Sequence, residues 1–280
     1  MVKSFPSSFS CKTSSAVRVR LFVARLTYNR IFICLLTSHI LISSYRLPGL
    51  IRTASSAADG FAVVELFTSE GCSSCPPADE VVGRLNGWKN NVYVLSFHVD
   101  YWNYLGWKDV FSDLSYSKRQ QDYGSVFHLS SIYTPQIIIN GKAQFAGSDE
   151  SRLRKEIEES LKQTSQTEIQ IKVQRQDKNK IAVFCNTAIN PNLRLNLALV
   201  QNAATNFIQR GENRGKSLTH HYIVRDFKVF SSRKDSDMVY LHIPDGLQSS
   251  GCTVIAFLQD PKTAYIVAAT RSPIPELPHQ

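Results

Sequence analysis

Two cysteines three positions apart constrain this chain more than any other feature, because they follow a predicted strand and open a predicted helix. Residues 63–67 form a short apolar run rich in β-forming residues, and Cys72 and Cys75 come directly before two prolines. Proline is tolerated in the first turn of a helix, so the pair should lie at a strand-to-helix junction. The helix dipole there favours thiolate over thiol, which is the chemistry of thiol–disulfide exchange.

The positive charge of the chain is concentrated in its first 58 residues. The formal net charge is +9, and residues 1–58 hold eight lysines and arginines but no aspartate or glutamate. The rest of the chain is therefore almost neutral. A net charge confined to one terminal segment does not indicate a nucleic-acid partner.

The same segment resembles a secretory leader. Residues 31–42 are twelve mostly apolar residues, and small residues follow at 54–58. A bilayer span needs about 20 apolar residues, so this stretch suits a signal peptide better than an anchor. We expect a periplasmic or secreted protein with residues 1–58 as a leader outside the fold. The long basic region and the late Arg46 and Arg52 leave an uncleaved membrane anchor or an organelle transit peptide open.

Without the leader, four cysteines remain, and an even number fits an oxidising compartment. They are Cys72, Cys75, Cys185 and Cys252. Geometry decides whether the last two form a disulfide, so both interpretations stay open. No cysteine and histidine spacing matches a structural zinc site, and no glycine-rich phosphate loop follows a strand. We therefore expect no metal and no cofactor besides a redox-active disulfide.

Hydrophobic periodicity predicts the order β-α-β-α-β-β-α between residues 61 and 162. A nearly continuous apolar strand at 92–99 should lie centrally in a sheet, and Asn140-Gly141 should join two short antiparallel strands. The predicted elements are strands at 61–67, 92–99 and on both sides of Asn140-Gly141, and helices at 76–88, 115–127 and, capped by Ser148-Asp149, up to residue 162.

This order, the cysteine pair and the Thr134-Pro135 dipeptide before the third strand resemble the thioredoxin fold. The resemblance covers about residues 61–163 and implies that Pro135 is cis and packs beside the disulfide. More closely, residues 65–79, 98–102, 133–136 and 211–216 are similar to a secreted bacterial family, that of domain of unknown function 1223. This resemblance implies export and a thioredoxin-like fold, but no established substrate.

After residue 168 the pattern changes to short strands separated by polar turns. We therefore predict an α/β thioredoxin-like domain at 59–163, followed at 168–272 by a mostly antiparallel, β-sandwich-like domain. Residues 163–167 form the boundary. The expected strands are 168–173, 181–185, 193–201, 205–210, 221–230, 239–243, 253–259 and 265–270.

The cysteine pair predicts the catalytic roles. Cys72, at the expected exposed end, attacks a client, and Cys75 resolves the mixed disulfide. Glu65, on the strand that leads to the pair, is a candidate proton acceptor for Cys75; otherwise it is an edge or surface carboxylate. Acidic neighbours oppose thiolate formation, so the direction of electron transfer stays open.

Client-binding residues are expected beside the pair, at the end of the sheet. The candidates are Thr134, next to Pro135, and the aromatic residues Trp102, Tyr104 and Trp107, for which ordinary packing is the alternative. His98 could complete a copper site with the two cysteines. His220, His221 and Glu212 match no standard set of metal ligands.

Together these patterns predict an exported thiol–disulfide oxidoreductase that acts on a protein or small-thiol partner. A nucleic-acid partner is not expected, and contact with a membrane is expected only through an uncleaved leader. Three other classes stay open: a non-catalytic binding module in which the disulfide is a staple, a copper-handling protein and a thiol peroxidase.

Overall fold

One mixed sheet of eight strands organises the chain. The computed structural model describes residues 59–165, 167–186, 192–231 and 238–277, which belong to one compact unit. The helices are α1 (Pro76–Gly83), α2 (Leu114–Val126) and α3 (Glu150–Leu161). The strands are β1 (Ala62–Thr68), β2 (Val92–His98), β3 (Gln136–Ile139), β4 (Ala143–Ala146), β5 (Gln170–Arg175), β6 (Lys180–Asn186), β7 (Arg194–Phe207), β8 (Ser217–Ser231), β9 (Met238–His242), β10 (Cys252–Gln259) and β11 (Ile266–Pro273).

The large sheet has the strand order β11-β10-β7-β8-β2-β1-β3-β4. β1 pairs in parallel with β2 and antiparallel with β3. Every residue of β1 and β2 is buried, as the central position of these strands requires. Helices α1 and α3 pack on one face of this region, and α2 packs on the other.

The predicted fold class is wrong, because the sheet continues from the first half of the chain into the second. β8 pairs in parallel with β2 at Ser96 and Ile223, and the Ser96 hydroxyl donates a 2.6 Å hydrogen bond to the carbonyl of His221. The structure is therefore a large mixed sheet with few helices, and not a thioredoxin-like α/β domain followed by a sandwich.

The length of one hairpin explains the error. The sequence predicted two strands, at 193–201 and 205–210, where β7 is a single strand of 14 residues. β7 pairs with the 15-residue β8 along most of its length. A hairpin this long reaches the open edge of β2, and it brings the loop 208–216 towards the start of α1.

A second sheet covers the outer part of the first. β5, β6 and β9 form an antiparallel sheet of three strands. Its apolar side chains share one core with those of β7, β10 and β11, including Ile181, Leu241, Leu197 and Val254. The second half of the chain thus has two packed layers, but one of these layers is an extension of the first sheet.

Several local predictions are confirmed. Asn140 and Gly141 have positive φ angles of 49° and 65° at the turn between β3 and β4. The Asn140 side chain also accepts a 2.7 Å hydrogen bond from the amide of Val63, which ties the hairpin to β1. Asp149 caps α3 by accepting a hydrogen bond from Arg152. α1 is shorter than predicted and ends at Gly83 rather than at Trp88.

The predicted leader, residues 1–58, lies outside the described residues. Within the described part of the chain, no helix is both long enough and apolar enough to cross a membrane. Export therefore stays a prediction from the sequence.

Candidate functional site

The two cysteines form a disulfide at the start of α1. Cys72 and Cys75 have Cα atoms 5.4 Å apart, and Cys75 is the residue that caps the helix. The amides of Ala78 and Asp79 donate to the Cys75 carbonyl and begin the helix. Pro76 and Pro77 have no amide hydrogen, so they cannot donate hydrogen bonds to the sulfurs.

The disulfide lies just below the surface, whereas the sequence placed Cys72 at an exposed end. Cys72 is 1% exposed and Cys75 is 0% exposed. Ser73 and Ser74, between them, are exposed, and the Ser74 hydroxyl lies 3.3 Å from the Cys72 sulfur. The loop between the cysteines can therefore be reached from solvent, while the Cys72 and Cys75 side chains are buried.

The loop between β7 and β8 covers the disulfide. The side-chain amide of Asn213 donates 2.9 Å hydrogen bonds to the carbonyls of both Glu70 and Cys72. Glu212 accepts a 3.1 Å hydrogen bond from the amide of Ser73, and hydrogen bonds with Ser73 lower the pKa of Glu212. The sequence identified 211–216 as a glycine-punctuated loop, but nothing in the sequence indicated which segment it covers.

A buried group of ionisable side chains lies beneath this loop. Its members are Glu70, Asp79, His98, Asp109 and His220, and all are at most 1% exposed. His98 Nδ1 lies 2.7 Å from Asp109 Oδ2. His220 lies between two other carboxylates, with Nδ1 3.3 Å from Asp79 Oδ1 and Nε2 3.7 Å from Glu70 Oε1. We call these five residues the buried cluster.

Contacts between histidines and carboxylates shift the pKa values of His220 and Asp109 in the buried cluster. Burial is the largest effect on His220 and lowers its pKa, but contacts with Asp79 and Glu70 outweigh burial and raise the pKa to about 10. For Asp109, burial raises the pKa, and the attraction and hydrogen bond of His98 lower it overall. Amides of Glu70 and Phe111 also donate to Asp109 and hold its carboxylate in place.

The predicted client-binding residues are only partly brought together. Trp102 donates a 2.8 Å hydrogen bond from its indole to Thr134. Trp102 also packs closely against Gly71, because a Cβ atom added to this glycine would lie only 2.9 Å from the Cβ of Trp102. Trp107 donates a 2.7 Å hydrogen bond to Glu70 Oε2. Tyr104, by contrast, is 79% exposed. Both tryptophans therefore support the cysteine loop, while Tyr104 faces solvent.

Pro135 lies near the first turn of α1. The Thr134–Pro135 peptide bond is cis, as expected, and Pro135 is buried. Its carbonyl accepts a 2.9 Å hydrogen bond from Gly147. A Cβ at Gly147 would come within 2.9 Å of the Cβ atoms of both Pro135 and Ala78, so these two residues approach each other across a glycine.

Glu65 does not reach the cysteines. Its neighbours on β1, Val64 and Leu66, face α1, so Glu65 points to the opposite face of the sheet. There its carboxylate lies 2.6 Å from Arg119 Nε and 2.5 Å from the Tyr123 hydroxyl. The predicted role of Glu65 as proton acceptor for Cys75 is therefore wrong on geometric grounds.

The metal-ligand sets considered from the sequence do not assemble. Cys72 and Cys75 are joined to each other, so they offer no thiolates to copper beside His98. Of the second set, Glu212 contacts Ser73, and His221 packs near Gly83 at the far end of α1. Cys185 and Cys252 are buried in one core but do not form a disulfide.

The comparisons with known proteins agree with the motifs at the site. The family described as "Protein of unknown function (DUF1223)" matches residues 63–259, which include the cysteine loop, the buried cluster and the covering loop. The chain belongs to this family. No curated protein matches the sequence.

One solved structure supports the fold of this DUF1223 chain. Protein AGR_C_4864 from Agrobacterium tumefaciens is 28% identical, with a TM-score of 0.56, and the match covers 81% of this chain and all of that one. A domain of the outer membrane lipoprotein Omp28 from Porphyromonas gingivalis is 12% identical, with a TM-score of 0.20. That match covers 38% of this chain and 85% of the domain, and its similarity is too low to carry an argument.

Proposed function

We propose that this protein is a thiol–disulfide oxidoreductase that exchanges electrons through Cys72 and Cys75. The observation that carries the proposal is the disulfide between these residues at the first turn of α1. A client thiolate attacks Cys72 and forms a mixed disulfide, and Cys75 leaves as a thiolate. A second client thiolate then releases Cys72, so the client dithiol becomes a disulfide and the pair becomes a dithiol.

Cys72 is the better electrophile and attacking thiol of the two. The exposed Ser73 follows it, and the Ser74 hydroxyl lies 3.3 Å from its sulfur and can donate a hydrogen bond to its thiolate. Cys75 is fully buried, and its carbonyl begins the hydrogen bonding of α1. The roles deduced from the sequence, attack by Cys72 and resolution by Cys75, are therefore retained in the proposal.

This disulfide should contribute little to the stability of the fold. Its cysteines are three positions apart, so the bond constrains a very short loop. The chain-entropy estimate for such a loop is about 2 kcal/mol, compared with about 4.7 kcal/mol for a loop of 100 residues. The small gain favours a chemical role for the pair over a staple.

Export forms part of the same proposal. A disulfide persists in an oxidising compartment, and the predicted leader would deliver the chain there. The partner would be a protein or small thiol, and the exchange itself requires no cofactor beyond the disulfide.

An exchange assay tests the proposed function. The purified protein should accelerate disulfide formation in a model dithiol peptide when oxidised glutathione is present. The Cys72→Ser/Cys75→Ser double variant should give only the uncatalysed rate. Equal rates for the two proteins would contradict the proposal, because no other pair of cysteines forms a disulfide within the described residues.

Removing the cover should make the disulfide easier to reduce. Asn213→Ala deletes two hydrogen bonds that hold the loop 208–216 on the cysteine loop. At about 0.5–1.5 kcal/mol for each bond, the reduction by dithiothreitol should become roughly 5- to 140-fold faster. The matched control is Asn202→Ala, because Asn202 lies on the same hairpin and is exposed. Equal reduction rates in the two variants would show that the cover does not limit access.

A further inference from the structure

The buried cluster contains side-chain atoms that have no hydrogen-bond partner. Among the described residues, Asp79 Oδ1, His98 Nε2 and both ring nitrogens of His220 make no hydrogen bond, although His220 Nδ1 and Asp79 Oδ1 lie within ion-pair distance of each other. All three residues are at most 1% exposed. A buried polar atom without a partner costs about 1–3 kcal/mol, so several in one place require an explanation.

The unpartnered atoms converge on one point. One donor atom from each of Asp79, His98 and His220 lies within 4.8 Å of the others. We propose that these three side chains bind a divalent first-row transition-metal ion. Two imidazole nitrogens and one carboxylate oxygen are a donor set that suits such ions, and Zn²⁺ is the simplest probe.

The surroundings of the three side chains hold them in a ligating orientation. Asp109 accepts a hydrogen bond from His98 at Nδ1, which fixes the tautomer whose free lone pair is on Nε2, the atom without a hydrogen-bond partner. Thr68 donates to Asp79 Oδ2 and leaves Oδ1 available. A carboxylate behind a metal-binding histidine is the usual arrangement in metal sites.

His220 lies between two carboxylates, but neither ring nitrogen makes a hydrogen bond. Its Nε2 faces Glu70 at 3.7 Å, while its Nδ1 lies 3.3 Å from Asp79 Oδ1. Two donor atoms, each about 2.0–2.1 Å from one ion at a tetrahedral angle, are about 3.3 Å apart. The observed separation therefore already matches two ligands of one ion.

The charges of the cluster also favour a cation. Its three carboxylates are Glu70, Asp79 and Asp109, and within the described residues their ionic partners are the two histidines. Buried carboxylates without compensating positive charge are strongly unfavourable. A divalent ion supplies this charge and displaces the proton of His220, because an imidazole must be neutral to bind a metal.

This site goes beyond the proposed function and differs from the sequence-based expectation of no metal. Its ligands come from α1, β2 and β8, and no local spacing joins them. Asp79 lies on the same helix as the capping Cys75, one turn further on, and so ties the ion to the disulfide loop.

Metal binding by the purified full-length protein tests the proposal. After treatment with a chelator and removal of the chelator, the oxidised protein should bind one Zn²⁺ per chain, measured by calorimetry and elemental analysis. Zn²⁺ should also raise the midpoint of thermal unfolding, because it binds only the folded state. Asp109→Asn should weaken binding by about 10- to 100-fold, and His98→Gln or His220→Gln should weaken it further.

Two controls separate this site from other ligands. His221→Gln removes a neighbouring histidine that packs near Gly83, and it should leave affinity unchanged. The Cys72→Ser/Cys75→Ser double variant should also bind the ion, because it keeps all three ligands. Metal binding can therefore be tested whether or not the disulfide exchanges with thiols. Asp109→Asn keeps all three ligands and serves as the informative variant if a histidine variant does not fold. Substoichiometric Zn²⁺ in the wild type, or equal affinity in His98→Gln and His221→Gln, would overturn the proposal and leave a protonated His220 as the counterion of the carboxylates.

Discussion

The Cys75→Ser protein accumulates a mixed disulfide through Cys72 when it is incubated with an oxidised thiol donor, whereas Cys72→Ser accumulates none at Cys75. We expect this difference because the Ser74 hydroxyl lies 3.3 Å from the Cys72 sulfur and can stabilise its thiolate, while Cys75 is held at the start of α1. Without the resolving thiol, the adduct cannot be released by the second cysteine. Mass spectrometry of proteolytic peptides locates the adduct.

The background for this experiment is a protein in which Cys185 and Cys252 are both replaced by serine. These two cysteines are buried in the second half of the chain and do not form a disulfide. Without them, a label on the second half of the chain cannot be mistaken for reaction at the site. Equal labelling of Cys72 and Cys75 in the two variants, or no adduct in either, would contradict the assigned roles.

Arg119→Met lowers the free energy of unfolding by about 3–5 kcal/mol, because it leaves a buried carboxylate without its cation. Arg119 is 11% exposed and pairs with the fully buried Glu65 at 2.6 Å. Burial lowers the pKa of Arg119, but the attraction of Glu65 raises it above its usual value overall. The guanidinium also lies 5.0–5.5 Å from the ring centres of Phe97, Tyr123, Phe227 and Phe257. Urea denaturation measures the loss.

A double-mutant cycle shows whether the charge pair causes this loss. Glu65→Leu with Arg119→Met replaces both ions by apolar groups, and it should recover much of the stability lost in either single variant. Lys118→Met is the control on the same helix, since Lys118 pairs only with exposed Asp122 and its loss should change stability by less than about 1 kcal/mol. If Arg119→Met were no less stable than Lys118→Met, the pair would not anchor α2 to the sheet.

Local chemistry explains which structural features the sequence could predict. Asn140-Gly141 and the prolines after Cys75 act through backbone angles of their own residues, so a turn and a helix start follow directly. The pairing of Ser96 with Ile223 joins segments more than a hundred residues apart. The sequence of a strand does not specify which other strand pairs with it. The predicted fold class was wrong because the sequence did not reveal this pairing between the two halves of the chain.

The candidate site divides in the same way. The disulfide was predicted from two cysteines close together in the sequence, and the cis proline was predicted from the resemblance to the thioredoxin fold. The buried cluster was missed because Asp79, Asp109 and His220 come from three distant segments. The prediction for Glu65 was wrong because it assumed that its side chain lies on the α1 face of the sheet. Side chains alternate between the two faces along β1, but every residue of β1 is buried, so the sequence does not show which face meets α1.

The reduction potential of the Cys72–Cys75 pair tests the central claim most directly. The purified protein is equilibrated with a series of glutathione buffers, and the fraction of reduced Cys72 and Cys75 is measured after alkylation. An exchange protein should titrate between roughly −270 and −120 mV, the range of known thiol–disulfide oxidoreductases. A potential below about −300 mV would show a structural disulfide that resists the thiol pool, and it would contradict the proposed function.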